Sequence, residues 1–250
     1  MSYLTDLLDQ YAVGFDVEEI FRLERERIQS TLTNNWKIAS PRFYYGGSFI
    51  KRTMISEAYD LDIIVYFPPT DRFTVRQLYE AVEGRLQQNG FSTRRHNVAI
   101  RLPYEHFHID VVPGRARDSN YRYATLYASE KDTTKQTSLK IHIDLVRNGE
   151  AQDVIKILKL WRHGHGVPIS SLAIELATDQ ALFNNRNASL EERVWKVLGW
   201  FRDSFATARL VDPANSTNIL SDDIPASDKA AIVAAAASSR LQRNWRDVVW

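Results

Sequence analysis

Cysteine is absent from the 250 residues, which excludes disulfides and thiolate zinc sites and suits a reducing compartment. Long apolar runs are missing too. The stretch AIVAAAA at 231–237 is typical of the longest and falls far short of the roughly 20 residues a membrane span needs. The amino-terminal MSYLTDLLDQ puts no basic flank before an apolar run, so it does not read as a secretory signal, and the cytoplasm is the expected location. Net charge is nearly nil: 32 Lys and Arg against 31 Asp and Glu leave +1. That balance speaks against a broad basic surface for long nucleic acid but is compatible with a small polyanion that brings its own metal ions.

The length is enough to bury a real core in one large domain or two small ones. Residues 16–33 read as a helix, with Asp16 as cap, Glu19 in capping-box position and a stripe of Ile20, Leu23, Arg27 and Ile28. LDIIVYF at 61–67 reads as a buried strand stopped by Pro68–Pro69, and FTVRQLYEAVEGRLQQNG as a helix with Val75, Leu78, Val82 and Leu86 inward and Asn89–Gly90 as its stop. NVAIRLPYEHFHIDVVPG reads as two strands joined around Pro103–Glu105, the second ending at Pro113–Gly114. From about residue 150 the pattern turns helical, through AQDVIKILKLWRHG, SSLAIELATDQALF, SLEERVWKVLGWFRDSF and SDKAAIVAAAASSRLQRNWRDVVW. No internal repeat is seen.

Asp60 and Asp62 are two residues apart, which on a strand places both on one face about 7 Å apart along the chain. Leu61, Ile63, Val65 and Phe67 on the other face anchor the strand, so the acids are firmly held. One ion, or two ions about 3.5–4 Å apart, can bridge such a pair. HFHIDVV supplies a third acid, Asp110, on a second strand. KIHIDLV at 140–146 repeats its His-Ile-Asp trio, but it leads within a few residues into a helix, so Asp144 is read as surface or hinge and Asp110 as the ligand. Upstream, Gly46, Gly47 and Ser48 offer backbone N–H groups, a hydroxyl and unusual dihedrals to a phosphate, with a short helix starting at Ser48. This is not the GxxxxGK[ST] loop. Lys51 and Thr53 can add to the same pocket. Farther on, Lys156 and Lys159 lie near one edge of a helix framed by Asp153, Ile157, Leu160 and Trp161, where an ammonium can meet phosphate.

GGSF, then DLDIIVYF, then FHIDVVP resemble the polymerase-β-type nucleotidyltransferase superfamily, and the linking KRTMISEAYD is most similar to the branch of oligoadenylate synthetases, cyclic GMP-AMP synthase and bacterial cyclic-oligonucleotide synthases (CD-NTases). The resemblance implies an α+β, two-lobed fold, with a mixed-sheet catalytic lobe over 36–149, a helical lobe over 150–250, and helix 16–33 packing across both. It implies that Gly47 and Ser48 grip the donor triphosphate and that Asp60, Asp62 and Asp110 bind metal. DVIKILKLW resembles the helix with a phosphate-contacting lysine, Lys159 or by register Lys156. SSLAIELA resembles the segment whose serine supports the triphosphate, Ser171 or alternatively Ser170. LVDPANSTNILSDD resembles an Asp-Pro and Asn-rich stretch before the last helix. The implied activity is template-independent joining of NTPs, ATP or GTP, with Mg²⁺ or Mn²⁺, giving a cyclic or short oligonucleotide messenger and pyrophosphate. A role in antiviral defence follows from the resemblance alone.

Two other readings stay open. The same chemistry can modify RNA ends or a small-molecule or protein hydroxyl, and a transferase fold can survive as a nucleotide-binding module without activity, whose mark would be a missing carboxylate. Among aromatics, Trp195 and Trp200 read as helix packing, and Tyr121, Tyr123 and Tyr127 as a loop-like segment in which one ring can stack on a base. His106 and His108 read as cleft-bordering residues outside any ligand set, and His163 and His165 as a helix end.

Overall fold

The computed structural model describes residues 2–34, 40–148, 150–183 and 187–250. Positions 36–39 and 149, the first and last of the expected catalytic lobe, lie outside the described residues. In chain order the elements are α1 (Tyr3–Gln10), α2 (Phe15–Thr33), β1 (Arg42–Tyr45), α3 (Gly47–Lys51), β2 (Leu61–Phe67), α4 (Val75–Gln88), β3 (Arg94–His96), β4 (Ala99–Pro103), β5 (His108–Ala116), β6 (Ala124–Ala128) and β7 (Thr133–Thr137). They continue with α5 (Leu139–Arg147), α6 (Gln152–His165), α7 (Ser171–Leu182), α8 (Leu190–Asp203) and α9 (Ala226–Arg240). The fold is mixed α/β, with one compact unit of residues 13–52 and 58–140 that carries the sheet, and a helical unit of residues 1–12, 53–57 and 141–250.

In the sheet unit the strands run β1-β2-β5-β4-β3, with β6 paired to β5 and β7 to β6. The central β2–β5 pair is parallel and its neighbours β1 and β4 are antiparallel. Alternation along β2 is as expected: Leu61, Ile63, Val65 and Phe67 are fully buried on one face. α4 packs against β5 on the strength of Leu78, Tyr79, Val82 and Leu86, all fully buried. Its start is fixed by Thr74 and Gln77 in a reciprocal capping box, and Asn89 closes it. On the face that carries Asp62, Ile64 and Tyr66 join Val112, Ala124 and Leu126 in a smaller apolar cluster.

Four local expectations are corrected. The second helix starts at Phe15 with Gly14 as its cap and no side-chain capping bond. Asp16 therefore lies inside the first turn, where its charge still suits the helix amino end. The buried stripe is Phe21, Ile28 and Leu32, whereas Ile20 and Leu23 are exposed, because Phe21 is drawn into an aromatic cluster with Phe49, Tyr59 and Phe107. Strand β5 does not stop at Pro113–Gly114 but continues to Ala116 and pairs there with β6. Gly114 permits this: a Cβ there would meet Leu126 Cδ2 at 2.5 Å and Thr125 O at 3.2 Å. Tyr127 lies on β6 rather than in a loop and is buried, with its hydroxyl donating to Asp132 at 2.7 Å.

The helical unit has a continuous core to which α1 gives Leu4 and Leu7, the short 53–57 segment gives Ile55, and α5 to α9 with their connecting segments and the 248–249 pair give the rest. Trp161 at its centre stacks on Phe201 and donates from its indole to Ser239 Oγ at 2.9 Å. Trp195 and Trp200 pack against this core, as their helical spacing suggests. The repeated trio at 140–146 is helical, within α5. His142 Nε2 meets Asp212 Oδ1 at 2.8 Å, and the buried Asp212 also accepts from the Ala214 N–H and the Asn218 amide.

Burial raises the Asp212 carboxyl, but the hydrogen bond and charge of His142, with the two other donors, outweigh it and leave the group below the usual carboxylate range. A carboxylate depressed on folding adds stability that is complete above its unfolded value, about 3.9, and is lost as pH falls through the lower folded value. Asp212→Asn is therefore expected to lower Tm at pH 7, for a loss on the order of 2 kcal/mol. The gap from the unaltered protein should close in melts below about pH 4. A gap that stays constant across that range would remove the carboxylate from the account.

Candidate active site

The sheet register brings acids from distant positions together. In the parallel β2–β5 pair Asp62 stands beside Asp110. In the antiparallel β4–β5 pair Arg101 stands on the other side of Asp110. One row across three strands thus reads Asp62, Asp110, Arg101. Arg101 grips Asp110 with two bonds, Nε to Oδ1 at 2.8 Å and Nη2 to Oδ2 at 2.7 Å. This fork-on-carboxylate geometry is the strong form of the ion pair. Its hydrogen bonds hold the Arg101 guanidinium above its usual value against the effect of burial, with the charges of Asp110, Asp60 and Asp62 adding to it. His96 Nδ1 lies 3.2 Å from Arg101 Nη2.

Asp60 precedes β2 and reaches the same point from the other direction. Ligand atoms of Asp60, His108 and Asp110 all lie within 4.8 Å of one another. His108 Nε2 is 3.3 Å from Asp60 Oδ2 and 3.8 Å from Asp110 Oδ2. That nitrogen is buried and has no hydrogen-bond partner among the described residues. Two carboxylates and an orphaned ring nitrogen at this spacing fit a divalent cation.

The glycine turn meets the second acid. Gly46 N–H donates to the Asp62 carbonyl at 2.8 Å. Gly47 has φ +54°, and a Cβ on it would lie 1.6 Å from Asp62 Oδ2 and 2.7 Å from its Cγ. Only glycine can occupy this left-handed position with the carboxylate where it is. α3 begins at Gly47, one residue before the expected start, and contains Ser48 and the buried Lys51. Asp62 accordingly faces the turn, while Asp60 and Asp110 converge on His108.

The remaining expected site residues, Thr53, Lys159 and Ser171, belong to the helical unit. Lys159 is 4% exposed, and its Nζ donates to the Thr53 carbonyl at 2.8 Å and lies 3.3 Å from Thr53 Oγ1. Lys156 instead pairs with Asp153 at 3.3 Å on a more open face. Of the two serines, Ser170 caps α7 by accepting from the Ala173 N–H, and Ser171 Oγ accepts from Arg162 at 3.1 Å. Ser170 thus serves to finish a helix, and Ser171 does not.

Sequence reasoning passed over Arg101 and placed His108 outside any ligand set. The signal for both was the hairpin: His108 is two residues before Asp110 on one strand, and a four-residue connection between β4 and β5 sets Arg101 opposite Asp110. His106, by contrast, is exposed beside Glu105 at 3.9 Å.

No family model matches the sequence, and no curated protein matches it. Solved structures do. The E. coli MS115-1 CdnC structure with ATP is 18% identical, over 98% of this chain and 96% of that one, with a TM-score of 0.77. The CD-NTase CdnG of Bradyrhizobium diazoefficiens in complex with GTP is 12% identical, over 98% and 94%, with a TM-score of 0.75. The cyclic AMP-GMP synthase DncV of Vibrio cholerae is 17% identical, over 96% and 80%, with a TM-score of 0.64. At these identities the likeness is one of fold, and along nearly its whole length the chain has the fold that these three structures share.

Proposed function

We propose that the protein is a metal-dependent, template-independent nucleotidyltransferase that joins NTPs into a cyclic or short oligonucleotide and releases pyrophosphate. The observation that carries this reading is the row in which Asp62 and Asp110 stand side by side on adjacent strands, with Asp60 and the Gly47 turn against them. Asp60, Asp62 and Asp110 would hold Mg²⁺ or Mn²⁺, which when bound neutralises phosphate charge and makes a ribose hydroxyl more acidic. The chain's own part is positional. Strand β2, locked by four fully buried side chains on its other face, holds Asp62 against the Gly47 turn, where the donor phosphates would lie along Gly47 and Ser48 with Lys51 beside them. Asp110, fixed by the Arg101 fork, would face the attacking oxygen, so the two reactants meet in line with little orientational freedom left to lose. Thr53, Lys159 and Ser171 enter the proposal as phosphate contacts through the family resemblance.

The fold shared with structures described as binding ATP or GTP and as cyclic AMP-GMP synthase supports this substrate class. The cytoplasm and a part in antiviral defence belong to the same proposal. The test is a mixed NTP reaction with Mg²⁺ or Mn²⁺ and no acceptor, followed by mass spectrometry. A linked nucleotide product with loss of pyrophosphate is the expected result. Product that forms only after RNA or another hydroxyl acceptor is added would replace this reading with end modification.

A further inference from the structure

His108 differs from the groups around it in offering nitrogen. We infer that His108 is a metal ligand, so that the Asp60–His108–Asp110 cluster binds one transition-type divalent ion in preference to Mg²⁺ before any nucleotide arrives. The inference rests on the proposed metal-dependent function and deepens it by naming the ion class.

Three observations point this way. His108 Nε2 is buried without a hydrogen bond among the described residues, although a carboxylate oxygen on either side lies 3.3 and 3.8 Å away. A buried ring nitrogen left unpaired is costly, and an ion between it and the two carboxylates gives it a partner. Second, one ligand atom from each residue falls within 4.8 Å of the others. Ligands at about 2.0–2.2 Å from a common centre can be at most about 4.4 Å apart, so a small contraction closes the set around a single ion. Third, the Arg101 fork fixes the Asp110 carboxylate with Oδ2 3.8 Å from His108 Nε2, and a carboxylate oxygen has a second lone pair to offer an ion.

Chemistry then selects the ion. Mg²⁺ demands oxygen ligands and keeps most of its waters, whereas an imidazole nitrogen favours first-row transition ions. A site with two carboxylates and one imidazole thus discriminates where a site of three carboxylates would not. The competing explanation is a plain electrostatic pairing of His108 with Asp60, which would bring no nitrogen to a bound ion.

The experiment is Mn²⁺ binding to the full chain without nucleotide, read by calorimetry, by competition with Mg²⁺, and by pulsed electron paramagnetic resonance of the bound ion. One Mn²⁺ per chain is expected, bound at least about tenfold more tightly than Mg²⁺, with a nitrogen modulation from a directly bound imidazole. His108→Asn, which keeps a polar side chain but offers oxygen, should lower the Mn²⁺-to-Mg²⁺ affinity ratio about tenfold or more, since even outer-sphere partners of a metal ligand are worth 10–100-fold. An unchanged ratio, or no nitrogen modulation in the unaltered protein, overturns the assignment. The second readout needs no variant, so a misfolded His108→Asn would not shield the idea. Product formation from NTPs with Mg²⁺ is scored separately, so transfer can survive while the nitrogen ligand fails.

Discussion

Exchange of Asp60 and Asp62 together for asparagine is expected to remove nucleotidyl transfer, by at least about a thousandfold, while leaving the fold in place. The size follows from the chemistry. Stabilisation by bound ions is worth several kcal/mol in the transition state, and each 1.36 kcal/mol is a factor of ten in rate. The choice of these two acids follows from the packing. Asp60 has a side chain 37% exposed and pairs only loosely with His108, and Asp62 lies at the partly open end of β2. Asp110 is held more tightly: it is 6% exposed and bound to Arg101 by both oxygens. Asp110→Asn would also strand the guanidinium, confusing lost chemistry with lost stability. The measurement is pyrophosphate release from NTPs beside a thermal melt and a circular dichroism spectrum. Normal turnover in a well-folded double variant would end the proposed function.

The second large effect is expected at Gly47. Alanine there would place a Cβ 1.6 Å from Asp62 Oδ2 at a residue with φ +54°, so either the carboxylate or the turn must move. The backbone strain alone is about 1–2 kcal/mol, and a displacement near 1 Å at a reacting group can cost about a hundredfold in rate. Gly47→Ala should thus lose on the order of a hundredfold in turnover with only a modest fall in Tm. Gly84 is the control. It lies inside α4, where an added Cβ meets nothing within 4 Å, and Gly84→Ala should gain up to about 1 kcal/mol of stability with unchanged activity. Equal turnover in the two variants would mean that the turn does not set the position of Asp62.

The elements that announce themselves locally were the ones legible in the sequence. Strand β2 is a β-rich apolar run with a double proline stop, and α4 carries helical apolar spacing and an Asn-Gly exit. The geometry of the candidate site was legible only in part, because it is made by register. Asp62 and Asp110 could be named as acids on two strands, but that they are direct neighbours depends on a parallel pairing across 47 intervening positions, which no local pattern encodes. The same holds for Arg101, whose pairing with Asp110 depends on the hairpin register. Strands β3 and β7 were missed since they hold few apolar residues and exist by pairing to neighbours, and β6, though mostly apolar, is only five residues long. The amino end of α2 misled for a different reason: Asp16 is a good capping residue, but the chain turns two residues earlier.

The helical unit draws on three separated stretches, with Leu4, Leu7 and Ile55 set in one core with side chains from residue 146 onward. A ribosome therefore delivers the first pieces of that core long before their neighbours exist, and the segment 53–57 must wait as well. A fragment that begins at residue 150 would display a greasy gap where those three side chains belong. Anyone dissecting this protein will need to keep its two ends in one polypeptide.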